Sequence, residues 1–208
     1  MGVKTHSRLR PADRENQLLE LGMRHFLARS YEAINLDEVA EEAGVSKGLL
    51  YHYFPTKRAF YMACLRRAVD QLSRVTEPEP GLPAPEQLRG GLTRYLEYVE
   101  DHAEAYQAVL RGAIGSDPEV AAIADGFRAT MYERIAASLP APPSREAELA
   151  LKGWIGFVEA VSLDWAGRRQ PSRSALVERL AGELPHLLRT WDEGGPRPSP
   201  TTSPRAAS

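Results

Sequence analysis

The side chains whose types and spacing point to chemistry lie between Asn35 and Lys57, in NLDEVAEEAGVSKGLLYHYFPTK. His52, flanked by Tyr51 and Tyr53, has the makings of a general base, but no nucleophile accompanies it at a useful spacing. A cation, a glycine, a phenol and an imidazole on one helix surface suit another task. Lys47 can meet a phosphate or a guanine edge, Gly48 lets a second backbone come close, and Tyr51 and His52 can reach phosphates.

Those residues need elements to hold them. Asn35 and Glu38 have the spacing of a capping box, and Leu36, Val39, Ala40 and Ala43 recur at helical spacing behind it. Gly44 can end that helix at positive φ, and Val45 can plug the angle that results. Ser46 then caps a second helix over 47–53, with Leu50 and Phe54 inward and Lys47, Gly48, Tyr51 and His52 outward; Pro55 and Thr56 close it and open the next. Two helices joined by a tight glycine turn are the pattern of a helix-turn-helix. A plain helical hairpin buried in a core has the same spacing.

The run AGVSKGLLYHYFPTK resembles the signature of the TetR family of bacterial transcriptional repressors, V-S-x-G-x-x-Y-x-Y-F-x-x-K, which spans the recognition helix and the start of the fourth helix. The resemblance covers about residues 14 to 60 and favours the DNA-reading hairpin over the buried one. It implies a double-stranded DNA operator as partner and makes Asn35, Ser46, Lys47, Gly48, Leu49, Tyr51, His52 and Lys57 the candidate DNA-binding residues. Three positions depart from the family pattern: His25 stands where an apolar residue is usual, Ser30 where a glycine is, and Leu49 where a small hydroxyl residue is common. His25 reads as a partly buried packing residue, since nothing near it supplies a second metal ligand.

The 208 residues, 43% of them hydrophobic, suffice for one extended helical protein or two small helical domains. A net charge of −2 means that affinity for nucleic acid must come from a local patch. Lys4, Arg8, Arg10, Arg14, Lys47, Lys57 and Arg58 are its candidates, opposed by Asp37, Glu38, Glu41 and Glu42 unless these face away. No apolar run approaches the roughly twenty residues a spanning helix needs, so no membrane partner is expected. A basic N-terminus without an apolar stretch behind it does not read as a secretory signal, and the single Cys64 agrees with a reducing, cytoplasmic location. No phosphate loop, metal-spaced His/Cys cluster or nucleophile elbow is present, so neither an enzyme nor a metal or cofactor site is expected.

Around the motif, a first helix is expected over 13–29, packing through Leu18, Leu19, Gly22 and Phe26. A long connecting helix is expected over 56–75, then a proline-rich linker over 76–85, TEPEPGLPAP. Further helices read as 86–102, 103–114, 117–138, 146–168 and one following Pro171, which Pro185 should kink or end early. Proline and serine dominate from Glu193 onward. The fold class is therefore all-α, with about nine helices. Residues 1–11 read as a flexible basic arm, 12–58 as a three-helix helix-turn-helix DNA-binding domain, 59–192 as a larger ligand-binding and dimerisation domain, and 193–208 as a disordered tail.

In the second domain Gly153, Gly156 and Ala160 put small side chains on one helix face, and Leu176, Leu180 and Leu184 form an i, i+4 stripe on the last helix. The resemblance implies that these two helices make a four-helix homodimer interface; closure of the chain's own core is the competing reading. Tyr95, Tyr98, Tyr106, Phe127, Met131, Trp154 and Phe157 are candidates to line a pocket for a small hydrophobic or amphipathic effector, and Arg111 and Arg128, if inward, would favour an anionic one. The function expected is a TetR-like regulator, a homodimeric repressor released from a palindromic operator by a small molecule. The alternative is a helical protein-interaction adaptor that keeps the hairpin and reads no DNA.

Overall fold

The computed structural model describes residues 10–28, 31, 33–103, 106 and 117–193. Among them are eight helices and no strand. The expected arm up to residue 9, Ser30, most of the expected 103–114 helix and the tail beyond residue 193 lie outside the described residues.

The chain enters α1 (Pro11–Ala28) two residues earlier than the sequence suggested. Pro11 begins the helix and does not end the arm, because a residue with no N–H costs nothing at the first helical position. Then come α2 (Leu36–Glu42), α3 (Lys47–Tyr53) and α4 (Lys57–Val75). The caps are local and of the expected kind. Asn35 accepts the Asp37 N–H at 2.9 Å, Ser46 the Leu49 N–H at 3.2 Å, and Thr56 the Ala59 N–H at 3.0 Å. Gly44 has φ +65°, and with it the Gly44 and Val45 amides fold back onto the Glu41 and Ala40 carbonyls. That reversal sets the angle between α2 and α3, and a side chain there would cost about 1–2 kcal/mol.

The first core gathers Leu18, Leu36, Val39, Leu50, Phe54, Phe60 and Cys64 from α1 to α4. Gly22 is what lets α1 and α4 meet, since a Cβ on it would stand 2.3 Å from the Phe60 Cζ and 2.7 Å from the Cys64 sulfur. His25 is 12% exposed at its side chain and bonds the Glu42 carboxylate at 2.8 Å, tying α1 to the end of α2.

The remaining helices are α5 (Ala84–Asp101), α6 (Pro118–Ala137), α7 (Arg145–Arg168) and α8 (Arg173–Glu193). Only 76–83 is irregular between α4 and α5, because Pro83 and Pro85 serve as the entry to α5 and not as linker. Pro185 lies inside α8, which continues past it to Glu193 and does not end early. The second core packs Leu92, Leu96 and Val99 of α5 with Leu151, Trp154 and Val158 of α7 and with Leu176, Leu180 and Leu184 of α8. These three leucines are 4%, 1% and 4% exposed within a single chain, and the Trp154 indole donates to the Leu180 carbonyl at 3.1 Å. The expectation that they face a partner is therefore corrected: their stripe closes the chain's own core.

Helix α4 belongs to both cores, giving Phe60 and Cys64 to the first and Leu72 to the second. Between them Met62 and Leu65 of α4 pack on Val120 and Ala124 of α6. Arg58 clamps the start of α6 from outside, reaching Asp117 at 2.7 Å and Glu119 at 3.0 Å. A movement of α6 therefore loads the first turn of α4.

Candidate functional site

α3 is anchored by one fully buried side chain, Leu50, with Phe54 just beyond its end. The rest of its surface is free to meet something outside. Lys47, Gly48, Leu49, Tyr51 and His52 are all exposed, Leu49 and Tyr51 at 37% each. A Cβ on Gly48 would meet only the Ser46 hydroxyl, at 4.0 Å, so nothing within the chain requires glycine there. Close approach by a second molecule would. Asn35 and Ser46 lie beside this face but spend their side chains on helix caps.

The cations of this face are not bare. Lys47 reaches Asp37 of α2 at 2.8 Å and lies 5.9 Å from the centre of the Tyr51 ring; the hydrogen bond to Asp37, then its charge, holds the ammonium above its ordinary range. Lys57 sits 4.9 Å over the ring of Tyr31. Of the other basic residues considered for the patch, Arg58 is turned to Asp117 and Glu119, Arg14 to Gln17 and the Ala43 carbonyl, and Arg10 to Asp13. Lys4 and Arg8 lie outside the described residues.

A second site lies between α5, α6, α7 and α8, a cavity of about 380 Å³ beside the end of α4. Of the candidate ligand residues, Tyr95, Phe127, Met131 and Trp154 line it. Tyr98 does not; its hydroxyl donates to the Ala68 carbonyl at 2.9 Å beside a separate cleft of α1, α4 and α5, and burial pushes the phenol up to about 12. Tyr106 is buried behind Tyr95, the two hydroxyls bonded to each other. Arg128 stands outside the lining, held by Glu159 at 2.9 Å and Asp125 at 2.7 Å. Phe157 is corrected outright: it is 48% exposed on the outer side of α7. Arg111 lies outside the described residues.

Glu159 itself lines the cavity, and burial raises its carboxyl above the ordinary range against the opposing pull of Arg128. Sequence reasoning missed Leu88, Leu92, Leu184, Leu188 and Arg134. Phe127, Met131 and Arg134 fall at i, i+4 and i+7 on α6, so extending the apolar stripe by one turn would have found the arginine. On α7, Leu149, Gly153, Gly156, Phe157 and Ala160 form one exposed face. No group of residues able to hold a metal occurs among the described residues.

A glycine-pinched helix pair offering one exposed helix, joined through a shared helix to a bundle with an apolar cavity, defines a helix-turn-helix regulator. The comparisons with known proteins agree. Residues 18–64 match the bacterial regulatory proteins of the tetR family, and residues 85–185 match the tetracyclin repressor-like C-terminal domain. The chain belongs to the TetR family of transcriptional regulators, whose members are DNA-binding proteins and not enzymes. It is 32% identical over 125 residues to the transcriptional activator FasR of Mycolicibacterium smegmatis, a match covering 58% of this chain and only 56% of that protein. To the transcriptional repressor KstR of Rhodococcus jostii it is 26% identical over 187 residues, 89% of this chain and 86% of that one. A solved TetR-family regulator from Streptomyces coelicolor superposes with a TM-score of 0.73 at 29% identity, covering 96% and 94% of the two chains. FadR of Bacillus subtilis, solved in complex with stearoyl-CoA, shares the fold at a TM-score of 0.66 and 14% identity, covering 81% and 96%. No helix among the described residues is long and apolar enough to cross a membrane.

Proposed function

We propose that this chain acts in the cytoplasm as a homodimeric repressor that binds a palindromic operator through two copies of α3 and leaves it when a small hydrophobic or amphipathic molecule fills the cavity. The observation that carries this reading is the sharing of α4. Its first turn follows directly on the exposed face of α3, and Thr76, the residue that caps its far end, lines the cavity. Filling or emptying the cavity therefore acts on the element that positions the recognition helix. Lys47, Gly48, Leu49, Tyr51, His52 and Lys57 would touch DNA, with Asn35 and Ser46 setting the helix ends beside it. Lys47 would exchange Asp37 for a phosphate, a trade of one exposed charge partner for another that costs little.

Two such helices must enter successive major grooves, roughly 34–36 Å apart, which requires a two-fold dimer. The exposed face of α7 around Gly153, Gly156 and Ala160, with Leu149 and Phe157, supports that role. Both an activator and a repressor occur among the relatives, and the repressor reading rests on the coupling through α4. The division at residues 58 and 59 is retained as a boundary of function, since α4 is structurally part of both units.

The test is selection of DNA fragments by the purified protein, repeated with candidate effectors. Recovery of a palindrome whose binding falls steeply with salt, and falls again with an effector, is expected. A saturating effector that leaves affinity for the selected palindrome unchanged sinks the coupling. Failure to bind any DNA at low salt sinks the reading as a whole.

A further inference from the structure

The charged residues of the cavity wall differ in how they are paired. Glu159 is matched by Arg128, and Arg128 is shared with Asp125, so this group carries no surplus cation. Arg134 is different. Its Nη1 donates to the Ser73 carbonyl at 2.8 Å and the Thr76 hydroxyl at 3.4 Å, closing the last turn of α4. Among the described residues no ion pair to a carboxylate is formed by it, and both of its hydrogen bonds leave from Nη1, none from Nε or Nη2. Arg94 stands close by on the Val75 and Glu77 carbonyls, at 2.7 and 3.0 Å, likewise without a carboxylate. Two full positive charges thus surround a helix end that offers only about half a negative one.

We propose that the cavity takes an amphipathic anion whose apolar chain lies against Leu92, Phe127, Met131 and Trp154 and whose carboxylate is bound by Arg134. This rests on the reading of the cavity as an effector site and names the effector's chemistry. The unused Nε and Nη2 of Arg134 form the planar edge that receives a carboxylate with two parallel hydrogen bonds, which a hydroxyl or an ammonium cannot match. The same guanidinium holds the Ser73 carbonyl, so the head group and the end of α4 draw on one side chain. The arginine suggested by the sequence, Arg128, is already neutralised, and the task passes to Arg134.

A chain-matched series separates head group from tail: dodecanoate, dodecanol and dodecylamine displacing an apolar anilinonaphthalene fluorophore from the full-length protein, each below its micelle concentration. Dodecanoate should displace it at about a tenfold lower concentration than dodecanol, the margin of one charge-assisted hydrogen bond, with dodecylamine weakest. Arg134→Met should lose that preference while still binding dodecanol. Arg89→Met, which alters another lining arginine that is already paired with Glu178 at 3.1 Å, should keep it. If Arg134→Met does not fold, Arg134→Lys replaces it: a point charge without the planar edge should reduce the preference. Equal binding of dodecanoate and dodecanol by the wild type, or a preference untouched by either Arg134 substitution, overturns the proposal and leaves the cavity an effector site of other chemistry. Displacement by none of the three overturns the effector reading as well.

Discussion

The residues that make this chain work divide into those fixed by packing and those left available. Gly22 is of the first kind, for the space a methyl would occupy is already filled by the Phe60 ring and the Cys64 sulfur. Gly22→Ala should lower stability by about 1–3 kcal/mol in a denaturant titration, since both neighbours are fully buried and must shift together. Lys47 is of the second kind. Lys47→Ala should weaken operator binding by about tenfold and reduce the salt slope by about one, with no change in the unfolding midpoint. Unchanged affinity in that variant would remove Lys47 from the interface. Lys47 was legible in the sequence as an outward cation, but its pairing with Asp37 was not, because the two lie ten positions apart and meet only once the glycine turn has folded.

At the scale of elements the local signals carried far. Asn35, Ser46, Thr56, Asp117 and Ser144 each cap a helix by accepting a backbone N–H, an interaction within three residues that needs no tertiary partner. α3 has only seven residues and one fully buried side chain, so its cap weighs heavily. Ser46→Ala should cost about 1 kcal/mol and loosen α3 before the rest, seen as faster amide exchange at Leu49 and Leu50 than in α4. Uniform loss of protection along the chain would contradict a local role for this cap. Proline is the less faithful signal: Pro11, Pro83 and Pro85 fall in segments the sequence marks as arm and linker and instead open helices, and Pro185 is carried within one.

Across the whole molecule, the contacts between α4 and α6 lie where the two cores meet. Arg58, chiefly through their hydrogen bond, holds the Asp117 carboxyl at about 2, below its ordinary 3.8. A carboxyl whose folded value is depressed adds stability above its ordinary value and loses it as pH falls toward the folded one. Asp117→Asn keeps the helix cap and removes the charge, so wild type should melt higher than the variant above about pH 4 and the two should converge near pH 2. A gap in melting temperature that persists at pH 2 would assign the difference to something other than this ion pair. The dimer claim belongs here also. Phe157→Asp on the outer face of α7 should yield a 23.0 kDa species by light scattering with the helical content intact; an unchanged larger species would place the interface elsewhere.

By itself the sequence determined the recognition motif, the all-helical class and the helix starts capped by Asn35, Ser46, Thr56 and Asp117, because each is written in contacts between residues two to four positions apart. What an apolar stripe packs against is not a local property. The Leu176, Leu180 and Leu184 spacing states that a face is buried but leaves open whether a partner or the same chain buries it, and only the placement of α8 on α5 and α7 decided for the latter. Phe157 reads in the sequence as one of the aromatic residues that could line a pocket, and the rotation of α7 puts it outside. Charge was decided the same way. Arg128 and Arg134 are six residues apart on one helix, and the neighbouring helices alone make the first a neutralised strut and the second an open cation beside the last turn of α4.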